Sequence, residues 1–521
     1  MFVKVLLLVV FFVVMTGIGL HFRKRNTDVD SFVLGGRAVG PWLTAFAYGT
    51  SYFSAVVFVG YAGQFGWKFG ISALWIGLGN AMIGSLLAWV VLGRRTRIMT
   101  RHLDSATMPE FFGERFCSRG IKIGASVITF IFLVPYTASL YNGLSRLFSM
   151  AYGVDFTICI AAMAVLTGVY VIAGGYVATA VNDFIQGLIM IVGIVAVVSA
   201  VLLAHGGFMS SLSLLARVSD AAVSDMPGVF ASFFGPDPLN LLGVVLLTSV
   251  GTWGLPQMVQ KFYAIKSEKS IRKGTVISTV FAILVSGGCY FLGGFGRLFA
   301  DRVNVAAEGF DSIIPAMLSG FSPLLIGVVV MLVLSASMST LSALVMTSAS
   351  TFTLDFLRGT IFNRMDEALQ LRVIRILIAV FILVSAIIAI IQYKGGISFI
   401  AQLMGISWGA LAGAFLAPFL YGLYWRRTTG SAVWACFLFS TLFMCSNIFF
   451  RSNLPPLLQS PINAGAFAML AGLLIVPLVS LCTRSPSLRQ IEAMFACYDR
   501  PVTVRAQESL GAPAEEKSGG A

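Results

Sequence analysis

Five hydroxyl side chains lie close together inside a long apolar stretch: Ser335, Ser337, Ser339, Thr340 and Ser342. On a helix, Ser335, Ser339 and Ser342 share one face, and Thr340 lies about 100° round from Ser339. Hydroxyl oxygens are weak, neutral ligands that suit a hard cation such as Na⁺, especially beside free backbone carbonyls. Such hydroxyls also bond to their own helix carbonyls or permit close helix packing, and the pattern alone leaves both interpretations open.

Asp183 is an acidic residue at the start of another long apolar stretch, after Gly174 and Gly175. A carboxylate inside a membrane segment often marks a route for an ion, in this case an exit route. The same carboxylate is also favourable at the N-terminal end of a helix dipole, facing the cytoplasm. Taken alone, the sequence favours neither interpretation.

Polar and aromatic side chains in further apolar stretches are candidates for binding an organic solute. Ligands with polar and apolar parts are bound by aromatic walls and a few neutral hydrogen-bonding groups. Trp and Tyr also anchor helices at membrane interfaces, but most of these residues fall near mid-span. The candidates are Tyr52, Ser54, Gln64, Ser249, Thr252, Trp253, Gln257 and Gln402, with Trp408 as a further candidate on the same helix as Gln402.

Two membrane-length segments carry most of these residues, and each is interrupted by glycine and small polar residues. The first interruption is Gly49-Thr50-Ser51 within residues 41–65, and the second lies between Ser249 and Gly254 within residues 238–262. A helix that unwinds inside a bilayer leaves carbonyls that lipid cannot satisfy, so it must line a protein-enclosed cavity. Paired interruptions in two halves of a chain are typical of secondary transporters.

The composition predicts an all-α, polytopic membrane protein. Of the 521 residues, 58% are hydrophobic and 11% charged, and the apolar stretches suffice for about thirteen spans of about 20 residues. Two sets of five spans follow a lone first helix, and because five is odd the second set starts from the opposite side, as an inverted repeat. The predicted segments are a peripheral helix at 1–22, five-helix repeats at 40–204 and 238–424, two peripheral helices at 429–483 and a cytoplasmic tail at 484–521.

The formal charge of +13 reflects membrane topology. Most of the 35 Lys and Arg residues fall in alternate loops, which the positive-inside rule assigns to the cytoplasm. The N-terminus is then outside and the C-terminus inside, in the inner or plasma membrane. Because the basic clusters flank spans, we expect no nucleic-acid partner. We also expect no obligatory protein partner.

Enzyme chemistry finds little support in the sequence. HExxH and P-loop motifs are absent, and the three histidines form no acid/base cluster within an apolar stretch. The seven cysteines are scattered without metal-ligand spacing and are interpreted as packing residues. We therefore predict that the protein is not an enzyme.

Six motifs occur in register along the chain. They are Gly35-Gly36-Arg37 with Gly40-Pro41-Trp42, Thr107-Met108-Pro109-Glu110, Gly174-Gly175 leading to Asp183, Gly254-Leu255-Pro256-Gln257, Ser339-Thr340 leading to Asp355, and Tyr424-Trp425-Arg426-Arg427. Together they resemble the sodium:solute symporter family, and in particular its pantothenate- and proline-type members. The resemblance implies a LeuT-like core of five plus five helices in which the first helix of each repeat is discontinuous. It also implies one Na⁺ as coupling ion, since Ala343 replaces a hydroxyl that some members use for a second ion.

By the same resemblance, the ion is bound by backbone carbonyls of Thr50, Phe53 and Ala336 and by the hydroxyls of Ser339 and Thr340. Asp183 matches an acidic position near the ion's cytoplasmic exit.

Two departures from the family bear on the solute. Proline symporters carry Asp where this chain has Tyr52, and sugar symporters carry Gln where it has Val57. The stretch from Gly251 to Gln257 resembles pantothenate-type branches. We therefore expect a small organic carboxylate or an amino acid, imported by alternating access. The alternatives are a sugar or sialic acid symporter, or a transporter-like sensor that acts with a partner kinase.

Overall fold

The computed structural model describes residues 2–22, 28–362, 365–394 and 400–498, which are almost entirely helical. Within these ranges no β-sheet forms, and strand-like pairing is limited to isolated bridges such as Val39 with Ile265. Shorter helical turns connect the main helices. The main helices are α1 (Phe2–Phe22), α2 (Val29–Leu34), α3 (Pro41–Tyr52), α4 (Val56–His102), α5 (Met108–Arg115), α6 (Arg119–Tyr152), α7 (Phe156–Ala204), α8 (Phe208–Ala216), α9 (Pro238–Val250), α10 (Pro256–Ala264), α11 (Glu268–Gly294), α12 (Ile313–Leu318), α13 (Pro323–Leu357), α14 (Glu367–Lys394), α15 (Ile400–Tyr424), α16 (Gly430–Phe449), α17 (Pro461–Cys482) and α18 (Leu488–Phe495).

Ten helices in the described part of the chain are long and apolar enough to cross a membrane, and α9 with α10 form an eleventh span if counted as one bent pair. Two of the ten, α4 and α7, have 47 and 49 residues, more than twice the about 20 that one crossing needs. The exact number of thirteen spans stays a prediction.

Glycines with positive φ interrupt both long helices. Gly70 in α4 has φ 65° and ψ −144°, and Gly175 in α7 has φ 60° and ψ −168°. Residues with a Cβ rarely adopt these angles, so glycine lets the chain change direction there without strain. A Cβ at Gly70 would also lie 2.0 Å from the carbonyl oxygen of Phe230. Gly175 therefore divides α7 into two membrane-length parts, and Gly70 separates residues 56–69, the short second arm of the first broken helix, from the longer helix that follows.

The outer surface is apolar, as expected for contact with lipid. Val13 on α1, Val192 on α7 and Leu383 on α14 are each 60% exposed or more. In a water-soluble protein, an apolar surface this extensive would be unusual. The polar side chains that form the candidate site are instead buried between helices.

Helices α3 and α13 occupy the centre of the bundle. α3 packs against α7 and α11, and α13 packs against α3, α6 and α7. α15 packs between α6 and the peripheral helices α16 and α17, while α1 lies against α7. The broken helix α3–α4 therefore meets the Ser/Thr-rich helix α13 in the interior.

The segment predicted as a cytoplasmic tail, residues 484–521, contains one described helix. α18 begins with a capping box in which Ser487 and Gln490 satisfy each other's backbone N–H groups. Residues 499–521 lie outside the described part of the chain.

Candidate functional site

The first broken helix is interrupted between α3 and α4. α3 ends at Tyr52, Phe53 is extended with φ −104° and ψ 98°, and the helix resumes at Val56. The last carbonyls of a helix have no partner within that helix. Oxygens near the end of α3 are therefore free to accept bonds from other groups.

The position of this break differs from the sequence-based one, because Gly49, Thr50 and Ser51 are all helical. Gly49 has a packing role instead: a Cβ there would lie 2.4 Å from Cδ1 of Phe281 on α11. Glycine in a membrane helix marks a close helix contact as readily as a break. The interruption itself occurs a few residues later, at Phe53 and Ser54.

The second broken helix is interrupted between α9 and α10, as the sequence predicts. A tight turn covers Gly251–Gly254, and Leu255 is extended with φ −87° and ψ 120°. The two arms are bent by 47°. Leu255 precedes Pro256, whose ring disfavours the helical conformation in the residue before it.

Two hydroxyls of α13 reach across to the end of α3. Ser339 Oγ lies 2.9 Å from the Thr50 carbonyl oxygen and Thr340 Oγ1 lies 3.1 Å from the same oxygen. Both hydroxyls are also within 3.2 Å of the Ala336 carbonyl oxygen. All four residues are at most 1% exposed. The structure thus brings Thr50, Ala336, Ser339 and Thr340 together, and Phe53 lies three residues beyond Thr50 at the break.

Other hydroxyls of α13 bond within their own helix. Ser337 donates to Val333 at 2.7 Å, Ser342 to Ser339 at 2.8 Å and Ser350 to Met346 at 2.7 Å. The sequence left open whether these hydroxyls bond to carbonyls of their own helix, and in the structure they do. Ser339 and Thr340 differ because they also have an acceptor on another helix.

Asp183 is a residue of α7 that lies inside the bundle and is 1% exposed. Neither carboxylate oxygen has a hydrogen-bond partner among the described residues. The carboxylate interacts electrostatically with Lys261 of α10, whose ammonium lies 5.2 Å from the ring centre of Tyr176. Sequence analysis missed Lys261, because a lysine at the end of a span ordinarily indicates a cytoplasmic loop.

An aromatic cluster surrounds the first break. The Tyr52 hydroxyl donates to the Thr248 carbonyl on α9, and its ring stacks on Phe53 at 4.3 Å. Trp408 lies 6.0 Å from Tyr52 and 5.9 Å from Tyr136, measured between ring centres. The Tyr136 hydroxyl and the Trp408 indole N–H are buried without a partner among the described residues. These two groups can donate hydrogen bonds to a solute.

Ser54 lies beside this cluster, and the structure adds Tyr136 to the sequence-based candidates. Ser54 Oγ accepts from the Val56 N–H at 3.2 Å and is close to the Tyr136 hydroxyl. Tyr136 belongs to α6, an unbroken span in which nothing local singles it out. Its only sequence signal is the preceding Pro135, inside a helix.

The solute-binding candidates on the second broken helix have different hydrogen-bond partners. Ser249 donates to Asn80 at 3.1 Å and Trp253 to the Ile83 carbonyl at 3.1 Å, so both join α9 to α4. Thr252 donates to the Ser249 carbonyl at 2.9 Å and lies near Tyr52. The Gln257 amide is buried, and its oxygen and nitrogen have no partner among the described residues.

Gln64 and Gln402 lie away from the aromatic cluster. Gln64 lines a large cavity further along α4, and Gln402 lies 3.5 Å from Arg451, which lines the same cavity. The predicted solute-binding residues therefore do not all belong to one site.

A model of the sodium:solute symporter family matches residues 32–438, most of the chain. The chain belongs to the sodium:solute symporter family. The match includes both broken helices and the Ser/Thr-rich helix of the symporter.

Relatives and a solved structure agree with this membership. The osmoregulated proline transporter OpuE of Bacillus subtilis (strain 168) is 30% identical over 422 residues, 80% of the symporter and 83% of that protein. The sodium/proline symporter of Staphylococcus aureus is 27% identical over 433 residues, 81% of each chain. A Na⁺-coupled sialic acid symporter, solved substrate-bound and outward-open, superposes with a TM-score of 0.74 at 15% identity, covering 94% of this chain and 100% of that one. At this identity the likeness shows the fold alone.

The predicted class of protein is confirmed. The chain is a multi-pass membrane transporter with a LeuT-like fold, and it couples Na⁺ to the movement of a small organic solute. Its family and its relatives are transporters, in agreement with the prediction of a non-enzyme.

Proposed function

We propose that Na⁺ binds where α3 ends against α13, using the carbonyls of Thr50, Phe53 and Ala336 and the hydroxyls of Ser339 and Thr340. The observation that supports this site is the convergence of both hydroxyls on the Thr50 carbonyl, at 2.9 and 3.1 Å. Neutral oxygen ligands suit a hard cation and bind it weakly enough for release.

The ion would couple the two repeats mechanically, because α3 belongs to the first and α13 to the second. With Na⁺ bound, α3 is held against α13, and the aromatic cluster at the neighbouring break is ordered for the solute. Asp183 and Lys261 lie on the proposed exit route toward the cytoplasm. A membrane potential of 100 mV adds about 2.3 kcal/mol per charge that moves inward, which favours import.

The proposed solute is a small organic carboxylate or an amino acid. Its carboxylate would accept hydrogen bonds from the Tyr136 hydroxyl, the Trp408 indole and N–H groups freed at the helix breaks. Tyr52 stands where proline symporters carry Asp, so a solute ammonium has no carboxylate partner at this position. Proline is nevertheless the first amino acid to test, because the relatives OpuE and the sodium/proline symporter are named for it.

We further propose that the protein lies in the cytoplasmic membrane with its C-terminus inside. This orientation is supported by the loop charges, which gather Arg94, Arg95, Arg97 and Arg101 at one end of α4.

The test is uptake into proteoliposomes with an inward Na⁺ gradient or with K⁺ in its place. The solutes are proline and other amino acids, short monocarboxylates, pantothenate, sialic acid and sugars. Concentrative uptake of a carboxylate or an amino acid only with Na⁺ is the expected result. Equal uptake with K⁺ would overturn the sodium assignment, and uptake restricted to sugars would overturn the solute class.

Substitutions separate the ion site from the rest of α13. Ser339→Ala and Thr340→Ala should abolish Na⁺ stimulation or raise the half-saturating Na⁺ concentration at least tenfold. Ser337→Ala is the matched control, because the Ser337 hydroxyl bonds within its own helix. Unchanged sodium activation in both site variants would defeat the assignment.

A further inference from the structure

A cavity of about 940 Å³ opens beside the second part of the first broken helix, and we name it the vestibule. Its lining comes from five separate parts of the chain. The residues used below are Gln64, Lys68, Arg297, Phe310, Arg451 and Ser460. Gln64 is eight residues beyond Val56, the first residue of α4, so the vestibule lies about 12 Å along the helix from the break beside the aromatic cluster.

The vestibule contains three cations and two carboxylates, and the carboxylates are already engaged. Asp220 pairs with Arg297 at 2.9 Å. Asp237 caps α9, accepting bonds from the backbone N–H and the side chain of Asn240. Three cations against two carboxylates leave the vestibule with one net positive charge.

Lys68 and Arg451 have no carboxylate within ion-pair distance among the described residues. The Lys68 ammonium lies 5.2 Å from the ring centre of Phe310. The Asp237 carboxylate attracts it, and Arg451 repels it more weakly. Arg451 lies 3.5 Å from the Gln402 amide oxygen. Two like charges that line one cavity lower the energy of an anion placed between them.

Gln64 supplies an independent indication of a ligand. Its side chain is 94% buried and lines the vestibule, yet its amide makes no hydrogen bond within the described part of the chain. The amide atoms are accessible from the cavity, so they can hydrogen-bond a ligand that enters it. An amide N–H beside two cations is a donor set that fits a carboxylate.

We propose that the vestibule is a first binding subsite for a small organic carboxylate, held by Lys68, Arg451 and Gln64 before it reaches the aromatic cluster. This inference rests on the proposed function and deepens it, since it selects anionic carboxylates over neutral sugars. The two cations concentrate the anion at the opening, and the Gln64 amide fixes its orientation.

The charge of the vestibule can be measured without transport. Ser460→Cys is introduced into a Cys117→Ser, Cys482→Ser background, because the other five cysteines are buried or half-buried. The introduced thiol is then modified with an anionic or a cationic methanethiosulfonate, and each rate is normalised to that of a free thiol. We expect the anionic reagent to be favoured at least tenfold.

Two substitutions and one control assign that preference to the proposed residues. Lys68→Gln together with Arg451→Gln should reduce the anion preference at least threefold. Arg302→Gln is the matched control: Arg302 is half-exposed, lies in the same helical turn as Arg297 and does not line the vestibule. A preference unaffected by the double substitution would overturn the proposal.

Ligand binding is tested by protection of the same thiol. Millimolar propionate should slow its modification by an uncharged maleimide at least threefold, while equal glucose or chloride should not. This protection should be lost in Gln64→Leu and in Lys68→Gln. Equal protection by glucose, or none by propionate, would overturn the subsite.

Transport distinguishes failure of this proposal from failure of the proposed function. Lys68→Gln should raise KM for a transported carboxylate at least threefold while kcat and the dependence on Na⁺ stay unchanged. If propionate protects the thiol but no solute shows Na⁺-dependent uptake, the vestibule stands and the proposed function fails. If a carboxylate is taken up with Na⁺ and Lys68→Gln leaves its KM unchanged, the vestibule proposal is wrong.

Discussion

Asp183 and Lys261 place opposite charges inside the bundle, on helices from the two halves of the chain. Both side chains are nearly completely buried, at 1% and 4% exposure. Removing one member leaves the other charge uncompensated in a low-dielectric interior, which destabilises the fold. Removing both members eliminates that charge and is far less costly.

The expected outcome is strong coupling between these two residues. Asp183→Asn and Lys261→Gln should each lower the thermal unfolding midpoint in detergent. The midpoint of the double variant should fall by much less than the two single losses added together. The exposed pair Arg94 and Glu268, 2.8 Å apart, is the control, and its removal should have little effect. Additive losses at Asp183 and Lys261 would show that the charges act independently.

The residues proposed to bind the ion, bind the solute or line the exit route could be predicted from the sequence to different degrees. Ser339 and Thr340 stand out as adjacent hydroxyls in an apolar span. Tyr136 and Lys261 do not stand out, because their positions depend on how distant helices pack. Three-dimensional proximity of this kind leaves no local pattern in the sequence.

Helices α4 and α11 approach each other closely through two glycines. A Cβ at Gly66 would lie 1.9 Å from the carbonyl oxygen of Gly293, and one at Gly293 would lie 2.0 Å from the carbonyl oxygen of Ala62. Backbone atoms cannot move aside as a flexible side chain can. Small residues allow membrane helices to approach this closely.

Gly66→Ala should therefore destabilise the protein, since the two helices must separate. We expect a loss of several degrees in the unfolding midpoint in detergent and reduced yield of folded protein. Gly287→Ala on α11 is the control, because a Cβ there has no atom within 4 Å and alanine favours the helix. Equal midpoints for the two variants would contradict the close contact.

The turn containing Asp311 joins the segment after α11 to two helices. Asp311 is 1% exposed, lies 3.9 Å from Arg146 of α6 and accepts the N–H of Ile400 at the start of α15. Burial raises the pKa of Asp311 from 3.8 to about 6, although Arg146 and the Ile400 N–H act in the opposite direction. The folded protein therefore holds this proton more tightly than the unfolded chain.

A raised pKa gives a contribution to stability that is complete below about pH 4 and lost as the pH rises through about 6. As the pH rises from 4 to 7, the unfolding midpoint of the native protein should accordingly decrease relative to that of Asp311→Asn. Asp301→Asn changes an exposed carboxylate in the same region and should leave the pH profile unaltered. Parallel profiles for the native protein and Asp311→Asn would contradict the assignment.

At the scale of helices, the sequence predicted both broken helices but placed the break correctly in only one of them. The ring of Pro256 disfavours the helical conformation at Leu255, so this break can be predicted from the sequence. In the first broken helix, Gly49 suggested the position of the break, although its role is to leave room for the Phe281 ring. The actual turn at Phe53 has no glycine or proline, so no local signal indicates it.

The whole molecule has a basic end and an opposite end that carries the vestibule. Arg94, Arg95, Arg97 and Arg101 lie together at the end of α4, and Arg97 donates to carbonyls of the loop after α10. The loop charges alone sufficed to predict this clustering. The exact span count was harder, because α4 and α7 each continue through a glycine that a hydropathy profile does not reveal.

The predicted orientation can be checked with a native cysteine. Cys117 is exposed near the basic end, so a membrane-impermeant maleimide should label it only after cells are permeabilised. Ala222→Cys, which lines the vestibule, should be labelled in intact cells and serves as the control. Labelling of Cys117 in intact cells would reverse the assigned topology.

The hydrogen bonds at the Thr50 carbonyl also influence how tightly sodium can be held. Both hydroxyls already have an acceptor there, so an ion that uses the same oxygens exchanges existing bonds for new contacts. Two bonds of about 1 kcal/mol each would weaken the net affinity roughly thirtyfold. If sodium binds at this proposed site, internal competition of this kind would shorten the residence time of the ion, and a short residence time favours rapid discharge into a compartment where sodium is scarce.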